Sequence, residues 1–299
     1  MKKIIAISIC FLTISISTSA QDVLSVEEMN SVYKKEQVLN KNVRQYTHLR
    51  EADVMWSRKV WREIDLREKI NHPFYYPEND GVGYTTRDRK SLIDVIYSAI
   101  NEGSITAYGN AAMDDEFREP MSQDDIKSIG GAVEELIEVI DWDAVAAGAD
   151  PEDAKTSILE KKQFDRNSVK IWRLKEEWFF DKQKSVMDVR ILGLAPLQED
   201  RDQVNGRLTG SFSPLFWVYF PEAREVLINA EVFNSVKNDA ERRTYDDVFW
   251  KRMFNSTITM EANVMNRRIN EYMVGLDALL EAERIKADIF NIEHDLWEY

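Results

Sequence analysis

The sequence contains one cysteine, Cys10, and three histidines, His48, His72 and His294. Cys10 lies inside an apolar run, Ile4 to Ile16, that follows Lys2 and Lys3 and precedes the small residues Thr18-Ser19-Ala20. That layout is a secretory signal peptide over residues 1–20, and a cysteine inside its apolar core is badly placed to become a lipidated N-terminus. Cleavage there leaves a mature chain without cysteine, so neither disulfides nor thiolate metal sites contribute, although an exported chain is free to form disulfides. The apolar run is shorter than the roughly 20 residues of a transmembrane helix, and no later stretch approaches that length. A soluble exported protein is expected.

The other absences bear on chemistry. The histidines show neither HExxH nor an i,i+4 pair, which argues against a zinc site. Without a cysteine or a GxSxG elbow, nucleophilic catalysis has no recognisable centre. Gly81-Val82-Gly83 lacks the third glycine of a dinucleotide loop, and no GxxxxGK[ST] occurs. No catalytic residue, metal ligand or cofactor is therefore expected, and the chain does not read as an enzyme. The carboxylate pairs Glu134-Glu135, Glu176-Glu177 and Asp246-Asp247 read as solvated faces of an acidic chain. Alternatives from other classes are an exported hydrolase working through such a pair and a carrier holding an apolar ligand among its tryptophans. Positive charge is scarce too, with 39 basic against 53 acidic residues, and losing Lys2 and Lys3 with the leader takes the net charge from −14 to −16. Such a surface disfavours nucleic acid, whose phosphates need cationic partners.

What is abundant is apolar and aromatic mass, 44% and 11% of residues, enough to offset the entropy of ordering the chain. The length fits one large or two small domains. Ser25 with Glu28 is a capping-box signature for a short helix to Leu39. Ala52, Trp56, Val60 and Ile64 fall four apart and predict an amphipathic helix over 51–70, supported by Glu63 with Arg67 and Asp65 with Lys69 and stopped before Pro73. Pro73-Phe74-Tyr75-Tyr76-Pro77 reads as an aromatic loop. Leu92, Ile96 and Ile100 predict a helix over 89–101, and Ser122 with Asp125 marks another start. The period does not decide between helix and strand over 132–140. Asp141–Asp153, mixing Asp, Ala, Gly and Pro151, is the candidate boundary between halves.

Past that boundary the period becomes two. Trp172, Leu174, Trp178 and Phe180, a polar turn at 181–185, and then Met187, Val189 and Ile191 predict an antiparallel hairpin. Residues 198–213 read as a long loop and Leu215–Phe220 as a buried strand. Pro221 opens a helix, Thr244 with Asp247 caps another, and the C-terminal third reads as helical through Phe254, Ile269, Met273, Leu276 and Leu280. Asp53–Arg58 and Asp247–Arg252 agree at four of six positions, too little for a repeat. The expected fold class is α+β, with a mostly helical N-terminal region over 21–150 and a C-terminal region over 151–299 in which helices pack a small antiparallel sheet.

Large aromatics with arginine are the material of interface centres. On that ground the interface candidates are Trp56, Arg58, Trp61 and Arg62, then Phe74, Tyr75 and Tyr76 between the two prolines, and Trp217 and Tyr219.

The stretch Val54-Met55-Trp56-Ser57-Arg58-Lys59-Val60-Trp61-Arg62-Glu63-Ile64-Asp65-Leu66-Arg67-Glu68-Lys69-Ile70-Asn71-His72-Pro73-Phe74-Tyr75-Tyr76-Pro77 resembles the signature segment of the GldN/PorN family. Trp178–Lys182, Ile191–Pro196 and Phe216–Pro221 resemble further family motifs, in the family's order. The resemblance implies a periplasmic structural subunit of the type IX protein secretion and gliding motility machinery. It implies assembly with a GldK/PorK-like outer-membrane lipoprotein, and with further copies of itself, into a ring at the inner side of the outer membrane. Contact with the periplasmic part of a GldM/PorM-like motor subunit is also implied.

Overall fold

Val54–Asp65 is a twelve-residue β-strand, β1, where the spacing of four had predicted a helix. A repeat of four is commensurate with both periods: Trp56, Val60 and Ile64 lie on one side of a helix and also on one face of a strand. Pairing decides between them, since β1 is hydrogen-bonded to residues 171–181 along one edge and to residues 257–261 over Val60–Glu63 on the other. The helical ion pairs do not form, and Glu63 instead meets Arg173 while Asp65 meets Arg67 at 2.6 Å.

The computed structural model describes residues 41–78, 89–109, 115–131, 134–140, 155–161, 164–201, 207–233 and 241–296, with 134–140 and 155–161 as backbone only. They fall within one compact unit, Asn40–Tyr299. Besides β1 the strands are β2 Ala107–Tyr108, β3 Glu134–Ile140, β4 Lys155–Lys161, β5 Ile171–Asp181, β6 Val186–Arg201, β7 Leu208–Pro214, β8 Trp217–Tyr219 and β9 Thr257–Glu261. Seven of them make one sheet in the order β2-β8-β6-β5-β1-β9, with β7 branching from β6, and β3 and β4 form a separate hairpin. Every ladder is antiparallel.

The fold is therefore mostly antiparallel sheet with few helices, and the expected mostly helical N-terminal half is overturned: that half supplies β1, between β5 and β9 in the sheet, and β2 and β3. The predicted hairpin is present as β5 and β6. The predicted loop over 198–213 is largely strand, because β6 runs on to Arg201 and pairs with β7. The C-terminal third is not continuously helical either, since β9 occupies 257–261. Asp53–Arg58 lies mostly in a strand and Asp247–Arg252 mostly in a helix, so the two similar windows are not a structural repeat. The Ser25 cap and the boundary at 141–153 lie outside the described residues.

The helices are α1 His72–Tyr75, α2 Leu92–Asn101, α3 Gln123–Lys127, α4 Phe220–Leu227, α5 Tyr245–Trp250 and α6 Leu276–Leu296. Residues 72–75, read from sequence as loop, make one helical turn with Pro73 in the first turn, where a missing N–H costs nothing. α2, α3 and α5 begin at Ser91, Ser122 and Thr244, each of whose side chains accepts from the backbone N–H three residues on. A Cβ at Gly193 of β6 would lie 2.5 Å from the tip of the Phe117 ring, so a side chain there would displace that ring.

Two cores share the even-numbered face of β1. At one end Ile64, with Trp172, Leu174 and Leu194, packs under α2, α4 and α5. At the other, Val60 and Ile258 receive Ala278, Ala282, Ile285 and Ile289 of α6, with Trp56 and Trp178 at the margin. Ile285 is wholly buried, whereas Leu280 on the same helix is exposed. Ile285→Ala should lower unfolding stability by roughly 2–5 kcal/mol and Leu280→Ala by less than about 0.5 kcal/mol, measured by urea denaturation. Equal costs would mean that α6 does not dock through that face.

Candidate functional site

The signature stretch folds so that its arginines and aromatics divide between the two faces of β1. On the even face, the Arg58 guanidinium lies 5.8 Å from the Trp56 ring and pairs with Glu261 at 2.9 Å. Arg62 donates to the Ser256 hydroxyl and carbonyl at 2.9 and 3.1 Å, and burial pulls its pKa down. Beside it Glu176 is wholly buried, its charge met by Arg252 at 2.9 Å and its carboxylate accepting from the Trp178 indole. Arg252 in turn lies 5.5 Å from Trp178 and 5.4 Å from Phe254. This polar seam separates the two cores, and each charge in it has a partner, as a low-dielectric setting requires.

On the odd face the Trp61 indole donates to Asp115 at 2.8 Å. Lys175 lies 5.5 Å from the Trp61 ring and 5.8 Å from Phe117, and it pairs with Asp115 at 3.3 Å. Phe117 meets Tyr108, Trp217 and Tyr219 edge-on. The segment around Asp115–Phe117 thus caps this face, and nothing in its own sequence advertised the role.

The nine candidates separate by exposure. Trp61 and Trp217 are buried, and Phe74 is buried among Tyr245, Phe249 and Phe254. Trp56, Arg58, Arg62 and Tyr75 are half-buried, while Tyr76 and Tyr219 are exposed. Tyr75 and Tyr76 meet edge-on at 5.1 Å and border a hollow of about 180 Å³ with Leu66, Arg67, His72 and Lys170. Burial and the charge of Glu78 push the Tyr75 hydroxyl pKa up to about 12. The structure gathers Trp56 to Arg62 along β1 and puts Trp217 and Tyr219 on β8, separated from β1 by β5 and β6, with Trp217 clustered with Trp61 across Ala195; the 74–76 group sits apart, on α1 and its C-cap.

A second arginine–aromatic cluster escaped the sequence reading. Arg224 of α4 is buried and makes a two-pronged bond to Asp246, at 2.7 and 3.1 Å. Its guanidinium lies 4.6 Å from the Tyr46 ring and 5.1 Å from Trp250, and those two rings stack at 5.3 Å. Arg44 covers Trp250 at 5.3 Å, and Arg190 covers Tyr46 at 5.1 Å. Residues 41–50, without regular secondary structure, are held against the sheet by these rings and by Lys41 to Asp247 at 3.0 Å. The only sequence signal was the Asp246-Asp247 pair, read as solvated. Asp246 instead neutralises Arg224, and Asp247 both caps α5 and holds Lys41.

Among the described residues no three metal-ligating side chains come together, and no helix is long and apolar enough to cross a membrane. An open cleft of about 510 Å³ between the end of β1 and the start of α6 carries no tryptophan in its lining. What the described residues display is an antiparallel sheet with several arginine–aromatic contacts. The model of the family described as "Gliding motility associated protein GldN" matches residues 49–298. The chain belongs to the GldN family. The matched region takes in the whole of the main sheet together with the 74–76 group, and the family is associated with gliding motility. No curated protein matches the chain.

For the arm, burial raises the Asp247 carboxyl pKa, but hydrogen bonds from Lys41 and Thr244 outweigh it, so the net shift is downward. A depressed carboxylate contributes stability above its unfolded value, and that contribution is lost as pH falls through the folded value. Protease cleavage within 41–50 should therefore accelerate as pH drops below about 4, and Asp247→Asn should show the fast rate already at neutral pH. A variant cleaved as slowly as the wild type would mean that Asp247 does not retain the arm. Arg224→Ala, which strands buried Asp246, should cost roughly 3–5 kcal/mol in urea denaturation.

Proposed function

We propose that this chain is a non-catalytic structural subunit of the type IX protein secretion system, needed for protein export and gliding motility. In this reading the leader at 1–20 directs it to the periplasm. There it assembles with a GldK/PorK-like outer-membrane lipoprotein, and with further copies of itself, into a ring on the inner side of the outer membrane. It also contacts the periplasmic part of a GldM/PorM-like motor subunit. The observation that carries the reading is the family match across residues 49–298.

The fates of two carboxylate pairs support it. Glu176 is consumed by Arg252, Asp246 by Arg224 and Asp247 by a helix cap, so these groups hold the fold together. Exposed aromatics remain at Tyr76 and Tyr219 for contact with partners.

Light scattering on the mature chain, alone and co-expressed with the lipoprotein, tests the proposal. The expected result is a large defined complex on co-expression. Tyr76→Ala and Tyr219→Ala should weaken its assembly at least about tenfold, as loss of an aromatic anchor does, while leaving the thermal midpoint of the free chain unchanged. A monomer under both conditions contradicts the proposal.

A further inference from the structure

Helix α6 is apolar on two opposite faces. Ala278, Ala282, Ile285 and Ile289 are buried against the sheet. Half a turn away Leu276, Leu279, Leu280 and Phe290 stand 55–69% exposed, and Val274, just before the helix, is 83% exposed. Steps of three, four and ten or eleven residues keep those four on one stripe, with exposed Glu283 and Ala287 lying between Leu280 and Phe290. A helix that docks through one apolar stripe while leaving a second one in water presents a contact surface.

Charge selects the occupant. Between Leu276 and Leu296 the helix carries six carboxylates against two cations, Arg284 and Lys286. Both cations are engaged within the helix, Arg284 with Glu281 at 2.6 Å and Asp288 at 2.7 Å, and Lys286 with Glu283 at 3.4 Å. At its start the stripe runs into the 510 Å³ cleft, whose lining includes Leu279, Met273 and three carboxylates, Glu63, Asp65 and Glu68, against the single cation Arg67. An apolar track bordered by excess negative charge matches an apolar track bordered by positive charge.

We propose that the exposed stripe of α6, with the adjoining cleft, docks an amphipathic helix of another protein whose apolar face is flanked by lysine or arginine. A second copy fits poorly: two-fold antiparallel pairing of Leu276 with Phe290 sets Glu283 against its twin, and each chain carries a net charge of −14. Residues 21–40 of this chain fit no better, with four carboxylates against Lys34 and Lys35. An anionic membrane surface would also repel the helix. The inference rests on the assembly reading above for its choice of a protein as partner.

The chain from residue 21 onward is titrated by fluorescence anisotropy with two designed helical peptides sharing one leucine stripe, one flanked by lysine and the other by glutamate. The lysine-flanked peptide should bind at least about tenfold tighter. Leu280→Glu and Phe290→Glu should each weaken that binding at least about tenfold with unchanged thermal unfolding. Absence of binding, equal binding of both peptides, or variants that bind like the wild type would overturn the proposal. So would light scattering in which the wild type self-associates and Leu280→Glu is monomeric, since a second copy then covers the face. Intact peptide binding without assembly on the lipoprotein would sink the ring reading alone; intact assembly without peptide binding would sink this one alone.

Discussion

Strand β1 is paired with β5 along its length and with β9 over Val60–Glu63, where Val60 and Trp61 are buried on opposite faces, and the arrangement of the covering elements follows from that. While Lys59 faces solvent, the middle of the strand carries Arg58, Arg62 and Glu63, all half-buried. Each is met locally, by Glu261, by Ser256 and by Arg173. Because side chains alternate between faces, a slip of one residue would exchange the two sets of partners and leave several buried charges unpaired. The polar residues thereby specify register, while Val60, Ile64 and Trp61 supply the burial that drives pairing. The same requirement explains the covering elements: α6 packs the aliphatic half of the even face, and the segment at Asp115–Phe117 supplies both a carboxylate and a ring to the odd face.

The arm at 41–50 and the helices α4 and α5 answer a related demand at the other margin of the sheet. Arg224 is drawn out of water by helix packing, so Asp246 must accompany it, and flat rings are the surfaces that lie well against the remaining guanidinium faces. One arginine therefore links a helix, its neighbour and the arm. In ties of this sort, geometry is fixed by paired charges and stacked planes in addition to a pliable apolar core.

Much of this was legible from residue patterns, and the failures have identifiable causes. Caps at Ser122 and Thr244 and the proline-led helix at Pro221 were visible because their signals are local in sequence. The β5–β6 hairpin was visible because its alternation is uninterrupted on either side of a polar turn. β1 was misread because spacing by four fits both periods and because Arg, Glu and Lys favour helix when partners in space are ignored. The strand ending at Arg201 was read as loop since its residues are polar, although edge pairing with β7 needs backbone groups and few apolar side chains. As for the site, the Trp56–Arg62 stretch stood out by composition, but the Arg224–Asp246–Tyr46–Trp250 cluster joins residues far apart in the chain and left no local trace.

A chain in which β1, β5 and β6 are each flanked by strands on both sides should be most protected from solvent exchange along the continuous β1–β5 ladder. Amide hydrogen exchange followed by mass spectrometry on the mature protein tests this directly. The account predicts that peptides covering 54–65 and 171–181 exchange slowest of all, at the rate of global unfolding, with α6 opening earlier. Fast exchange across 54–65 while 171–181 stays protected would show that the β1–β5 ladder does not hold the sheet together and would contradict the account.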